Sequence, residues 1–205
     1  TAWVSASADL VDNSSVIAVA GQDFTGANYK IYRSSLYFDT SYLGTMSAVV
    51  SAATLHLYGA WNSVTSNNLT IQTGSGTHPN IPLVVGEYDK SFYSSDGGAI
   101  LSSAWSTTAY NPIPLNATGL TWINSTGLTR FMMRTGQDIA GIAPIANDEM
   151  AWWSYERGIG YQPYLDVTFT YSGTTPIIAT NSAVSITHNS ATLQGTLLYT
   201  ANVTP

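Results

Sequence analysis

The chain has 205 residues, with 6 Lys and Arg against 12 Asp and Glu, a formal net charge of -6 and no Cys. Only 9% of the residues are charged while 44% are hydrophobic, so polarity comes from hydroxyls and amides rather than ions. This balance argues against a phosphate-backbone binder, and the missing thiols exclude disulfides, thiolate metal sites and Cys nucleophiles.

The length suits one large β domain, with or without a fragment of another. No apolar stretch approaches the roughly 18 residues of a membrane span. Thr1 opens the chain without Met or a charged n-region, so no signal peptide is expected at this end.

Two-residue alternation predicts strands over Ala2 to Ala8, Ser15 to Ala20 and Tyr29 to Phe38. Val49 to Tyr58 is the clearest, with Ala53, Leu55 and Leu57 on one face and Thr54, His56 and Tyr58 on the other. Asn68 to Thr73 follows, then loops marked by Gly74-Ser75-Gly76, His78-Pro79-Asn80 and Asp96-Gly97-Gly98. Ala99 to Thr107 is the one predicted short helix. After a turn at Asn111-Pro112, strands are expected over Gly127 to Arg134, Ala151 to Tyr155 and Pro163 to Tyr171. Short strands at this spacing predict an all-β jelly-roll sandwich over residues 1 to 171.

Ser172-Gly173-Thr174-Thr175 reads as a small polar linker. Beyond it, residues 176 to 205 hold two more predicted strands, Pro176 to Thr180 and Ser190 to Tyr199, joined by a turn at His188-Asn189. Two strands do not make an independent domain in water. The segment therefore either begins a second domain or is a β tail pairing with a sheet edge of another subunit. Ile177, Ile178, Leu193, Leu197 and Leu198 are its expected subunit contacts.

Arg33-Ser-Ser-Leu-Tyr-Phe-Asp39 followed by Val50-Ser-Ala-Ala-Thr-Leu-His-Leu-Tyr58 resembles DNRLRE-type modules. These are jelly-roll domains related to carbohydrate-binding modules and found in disaggregatase-related and surface proteins. The stretches Asn116 to Asn124, Thr129 to Arg134, Asp138-Ile139, Ser154-Tyr-Glu156 and Pro163 to Thr168 are similar to the family's closing segments. The resemblance covers residues 1 to about 171, and it speaks for fold more than activity. A W-x-E-x-x-V-T-W stretch frequent in the family has no clear counterpart between Glu87 and Trp105. Asn189-Ser-Ala-Thr-Leu-Gln-Gly-Thr196 is similar to the second strand of fibronectin type III repeats. Together these imply a segment of a modular extracellular or viral structural protein.

His56, His78 and His188 lie far apart and lack zinc-ligand spacing, and His56 reads as a sheet-face residue. No G-x-S-x-G nucleophile elbow occurs. Asp39, Glu87, Asp89, Asp148, Glu149 and Glu156 are the carboxylates a glycoside hydrolase would draw on, but spacing does not pair them. Asp39 and Glu156 are expected in strand-end hydrogen bonds or ion pairs with Arg33, Arg130, Arg134 or Arg157. No cofactor is expected. A structural calcium is the one metal weighed, because jelly rolls often hold one, with Asp12 and Asp23 as its oxygen ligands. Sequons at Asn13, Asn68, Asn116, Asn124 and Asn202 are candidate glycosylation sites.

Six Trp and thirteen Tyr are the most suggestive feature. Within one strand Trp152 and Trp153 face opposite sides, so one enters the core and the other needs a glycan, a neighbouring subunit or a covering loop. Trp61, Trp152, Trp153 and Tyr161 are the candidate carbohydrate-binding residues. The expected function is non-catalytic: a structural or adhesive module of an extracellular filament, surface layer or virion, assembling through β-sheet contacts. The alternative is a carbohydrate-binding module. Copies of itself, other structural proteins or glycans are the expected partners, with no nucleic acid and no membrane span.

Overall fold

A computed structural model describes residues 5–26, 28–63, 67–73, 76–171, 177–184 and 192–199. The chain divides into two compact units, Thr1–Thr170 and Tyr171–Pro205. The first is the expected all-β sandwich, built from two antiparallel sheets. Its strands in chain order are β1 (Ile17–Thr25), β2 (Asn28–Tyr32), β3 (Ser34–Asp39), β4 (Val49–Asn62) and β5 (Asn68–Gln72). They continue with β6 (Ala99–Leu101), β7 (Tyr110–Pro114), β8 (Leu128–Thr135), β9 (Asp148–Trp153) and β10 (Tyr164–Thr170). The larger sheet runs β10-β4-β9-β1-β2 with β7 also paired to β4, and the smaller runs β3-β8-β5-β6. Most connections pass from one sheet to the other, the habit of jelly-roll sandwiches.

The interior forms where the two alternations meet. Ala53, Leu55 and Leu57 of β4 are buried, with Leu69 and Ile71 of β5, Phe131 and Met133 of β8 and Met150 and Trp152 of β9. Gly21 permits the approach of β1 to β9: at φ +148° its Cβ would lie 2.2 Å from the Asp148 carbonyl oxygen, a place no side chain can occupy.

Four expectations change, the first being the turn at Asn111-Pro112, which lies inside β7 and pairs with β4. The described part of Ala2 to Ala8 is not a strand; the Ser5 hydroxyl bonds the Ser7 carbonyl, and the segment is held by one backbone bond from Ala8 to Val85. Tyr29 to Phe38 splits at Arg33 into β2 and β3, which lie in different sheets. The predicted helix over Ala99 to Thr107 is β6, paired to β5, followed by a single 3-10 turn at Ser102–Ala104.

In the second unit, β11 (Ile177–Val184) and β12 (Thr192–Tyr199) pair antiparallel as a two-stranded sheet. The side chains of Ile177, Ile178, Leu193, Leu197 and Leu198 lie outside the described residues, as do residues 172 to 175, Gly74-Ser75, His188 and Asn202.

Candidate functional site

The two outer faces of the sandwich differ. That of the smaller sheet is covered by the chain itself, through the long excursion between β5 and β6. Arg130 donates to the carbonyls of Thr77 and Pro79 at 2.8 and 2.9 Å, Tyr37 to that of Asn80 at 2.7 Å and Gln72 to that of Ser95 at 2.9 Å. Inside the excursion the buried Glu87 carboxylate gathers His78, Asn80 and Tyr93, the Tyr93 hydroxyl donating at 2.8 Å. Burial, then Glu87, pushes the Tyr93 phenol far up, so it stays a donor.

The outer face of the larger sheet instead carries a strip of rings. Tyr164 of β10 stacks on His56 of β4 at 4.3 Å, and Tyr110 of β7 meets Tyr164 edge-on at 5.0 Å and Tyr58 at 5.1 Å. Tyr58 meets Tyr161 at 4.8 Å, and Tyr161 meets Trp153 at 6.2 Å. The Arg157 guanidinium lies over both Trp153 and Tyr161, at 4.5 and 5.2 Å. Burial and the neighbouring Tyr164 and Tyr58 push the Tyr110 phenol up, so it stays neutral. Polar handles flank the strip: His56 Nε2 lies 3.1 Å from Asp166 Oδ2, and the Tyr58 hydroxyl donates to the Thr108 carbonyl at 2.6 Å.

A second group lies on the same face. Trp61 is 38% exposed and lies beside Glu149, whose carboxyl is pushed up by burial and by Asp23, against the pull of Trp61 and Lys30. Lys30 is the cross-strand partner of Asp23. Two residues chosen for unrelated reasons, Trp61 as a sugar platform and Asp23 as a metal ligand, thus meet at Glu149.

The remaining candidates separate. Trp152 is fully buried and cannot present a face to a sugar, so it leaves the carbohydrate set. Trp153, half-buried, finds its covering partners in Arg157 and Tyr161. Asp12 is held in its own turn by Ser14, whose backbone and hydroxyl bonds keep its carboxyl low. Asp12 and Asp23 belong to no common cluster, and among the described residues no three His, Asp or Glu gather as a metal site. Asp39 accepts from Ser41 and Glu156 from Ser154, so of the two expected alternatives each takes the local hydrogen bond rather than an arginine ion pair. Arg33 and Arg134 turn to Asp138 instead.

Of the sequons, Asn13, Asn68 and Asn116 are exposed and Asn124 is partly buried; the Asn116 side chain is also engaged as a helix cap, accepting from Gly119 and donating to Asp96. An open recess of about 550 Å³ is lined, among the described residues, by Thr73, Gly76, Ser94, Ser95, Thr121, Trp122, Ile123 and Asn124, with no acid, base or nucleophile-and-base pair. Nothing in the sequence pattern groups Tyr58, Tyr110 and Tyr164. His56 and Tyr58 alternate on the polar side of β4, but the rings joining them come from β7 and β10. Comparison with protein-family models and with curated proteins returns no match.

Proposed function

We propose that this chain is a non-catalytic structural or adhesive module of an extracellular filament, surface layer or virion. The observation that carries this reading is the two-unit organisation, in which β11 and β12, among the described residues of Tyr171–Pro205, form a two-stranded sheet. A lone pair of strands is marginal in water and gains from strands of another subunit. The resemblance to DNRLRE-type and fibronectin type III segments points the same way. Truncation after Ser172 is expected to abolish assembly while leaving residues 1 to 171 folded. Electron microscopy and native mass of both forms measure this, and unchanged assembly of the truncated chain overturns it.

A second reading, a carbohydrate-binding module, is favoured by the ring strip on the larger sheet. Pyranose C–H faces stack on aromatic rings, and an aromatic contact contributes about 0.5 to 1.5 kcal/mol. Trp153→Ala and Trp61→Ala are each expected to weaken glycan binding by up to about tenfold without unfolding the protein. A glycan array with no bound saccharide sinks this reading and leaves the first intact.

A further inference from the structure

In a chain whose polarity comes from Ser, Thr and Asn, residues 139–146 run Ile-Ala-Gly-Ile-Ala-Pro-Ile-Ala, eight positions without a polar side chain. They cover the end of the short helix Gly136–Ala140 and the loop into β9. All are exposed except Pro144, which is buried and seats the loop. Ile139, Ile142 and Ile145 are 37%, 55% and 95% exposed, so the tip of the loop stands clear of the sandwich. Single exposed apolar residues are ordinary, but three isoleucines within seven residues make an apolar protrusion that water solvates poorly.

Strand register places this loop. Asp148 opens β9 and pairs with Gln22 near the end of β1, and the β1–β2 hairpin closes at Thr25 and Asn28, so loop and hairpin share one end of the sandwich. Asn62, at the end of β4, pairs with Met150, whereas Val49, at its start, pairs with Thr170. The loop therefore lies at the end away from Thr170, the last residue of the first unit. Two amphipathic rings stand behind it. Tyr29, one residue in from the hairpin turn, is 43% exposed; Trp61 is 38% exposed and pairs with Ala151, three residues into β9, roughly 10 Å along the strand.

The charges set beside Trp61 are Asp23 and Glu149 against Lys30, on a chain of net charge -6, so attraction to this end is apolar rather than ionic. Protein partners favour Tyr, Trp and Arg at the centre of a docking patch, fitted into matching pockets. Here the centre is aliphatic and protruding, and the rings lie behind it. That is the order in which aliphatic and amphipathic side chains enter a lipid interface.

We propose that residues 139–146 insert into the interface of a lipid bilayer, with Trp61 and Tyr29 at headgroup depth, and so dock the first unit on a zwitterionic lipid surface. The contact goes beyond the assembly read from the second unit and does not draw on it. Its strength is at most that of a single myristoyl chain, about 10⁴ M⁻¹, so one copy binds reversibly and several copies in one particle hold by avidity.

The test is flotation of the whole chain with phosphatidylcholine vesicles at about 1 mM lipid. Wild type is expected to rise with the vesicles at low and high salt alike, and phosphatidylserine should not increase the bound fraction. Replacing both Ile142→Asp and Ile145→Asp is expected to cut binding by about tenfold or more. Both side chains are exposed, so the unfolding midpoint should stay near that of wild type. Ile145→Asp alone, at the most exposed of the three, carries the test if the pair unsettles the fold. Ile159→Asp, at a 95% exposed isoleucine outside the loop, should leave binding unchanged. The proposal is overturned if wild type does not float, if binding requires phosphatidylserine or falls away with salt, or if the loop variants float as well as wild type. Self-association of wild type that the loop variants lose, without flotation, makes a second copy the occupant and overturns it too.

Discussion

Replacing Asp138 with Asn is expected to lower the unfolding midpoint at neutral pH by about 6–20 °C. Asp138 takes Arg33 on both oxygens, Nη2 to Oδ1 at 2.7 Å and Nε to Oδ2 at 2.8 Å, and Arg134 Nε on Oδ2 at 2.7 Å. The three side chains are 2%, 3% and 0% exposed for Arg33, Arg134 and Asp138. Neutralising the carboxylate leaves two buried guanidiniums with no countercharge, a loss of about 3–5 kcal/mol. Gln72 Oε1, 2.9 Å from Arg134 Nη1, is neutral and cannot replace it.

The same change alters the pH dependence. Burial pushes the Asp138 carboxyl up, but the hydrogen bonds and charges of Arg33 and Arg134 outweigh it and hold the group below the ordinary range. A carboxyl depressed in the folded state contributes stability above its unfolded value of about 3.9, and that contribution is lost as pH falls through the folded value. The gap between wild type and Asp138→Asn should therefore be full at neutral pH and shrink below about pH 4. A gap that is absent at pH 7, or unchanged in acid, contradicts this account.

The Arg33–Asp138–Arg134 group also holds the covered face. Arg33 donates to the Tyr88 carbonyl and lies 4.0 Å over the Tyr88 ring, so it ties the excursion to the sheet junction between β2 and β3. Loosening Arg33 should raise hydrogen exchange across residues 76 to 98 before the core opens. The excursion lies against the outer face of the smaller sheet, whereas the ring strip lies on that of the larger one.

What was legible in the sequence follows from the range of the interaction that decides each feature. Ala53, Leu55 and Leu57 declare the core face of β4 because alternation is local, and the bounds of β5, β8 and β10 fall close to their expected places. Tyr29 to Phe38 reads as one strand because its β-forming residues run on through Arg33. The group that draws Arg33 aside, Asp138, is 105 residues away. The same limit hides the ring strip. His56 and Tyr58 are neighbours on β4, but Tyr110 and Tyr164 join them only through strand pairing, and Tyr161 through a loop. Asp23 and Glu149 are likewise adjacent only once β1 lies on β9. Asp148 reads from sequence as a candidate acid because nothing local shows that it faces inward, where the fold buries it.

The adjacent tryptophans give the second large effect. Trp152→Ala is expected to cost about 3–5 kcal/mol, because it empties a fully buried site among Ala18, Gly59 and the core. Trp152→Phe should cost less: it keeps much of the ring volume and removes the indole N–H, which is buried without a partner. Trp153→Ala, one residue on, removes a half-buried ring under Arg157 and should cost about 1 kcal/mol. Thermal or denaturant unfolding of the three variants checks the order. If Trp153→Ala destabilises as much as Trp152→Ala, then Trp153 belongs to the core and the ring strip is packing rather than a contact surface. If the order holds, the ring of Trp153 can be removed from a folded protein, and any loss of glycan binding or assembly in that variant belongs to the surface itself.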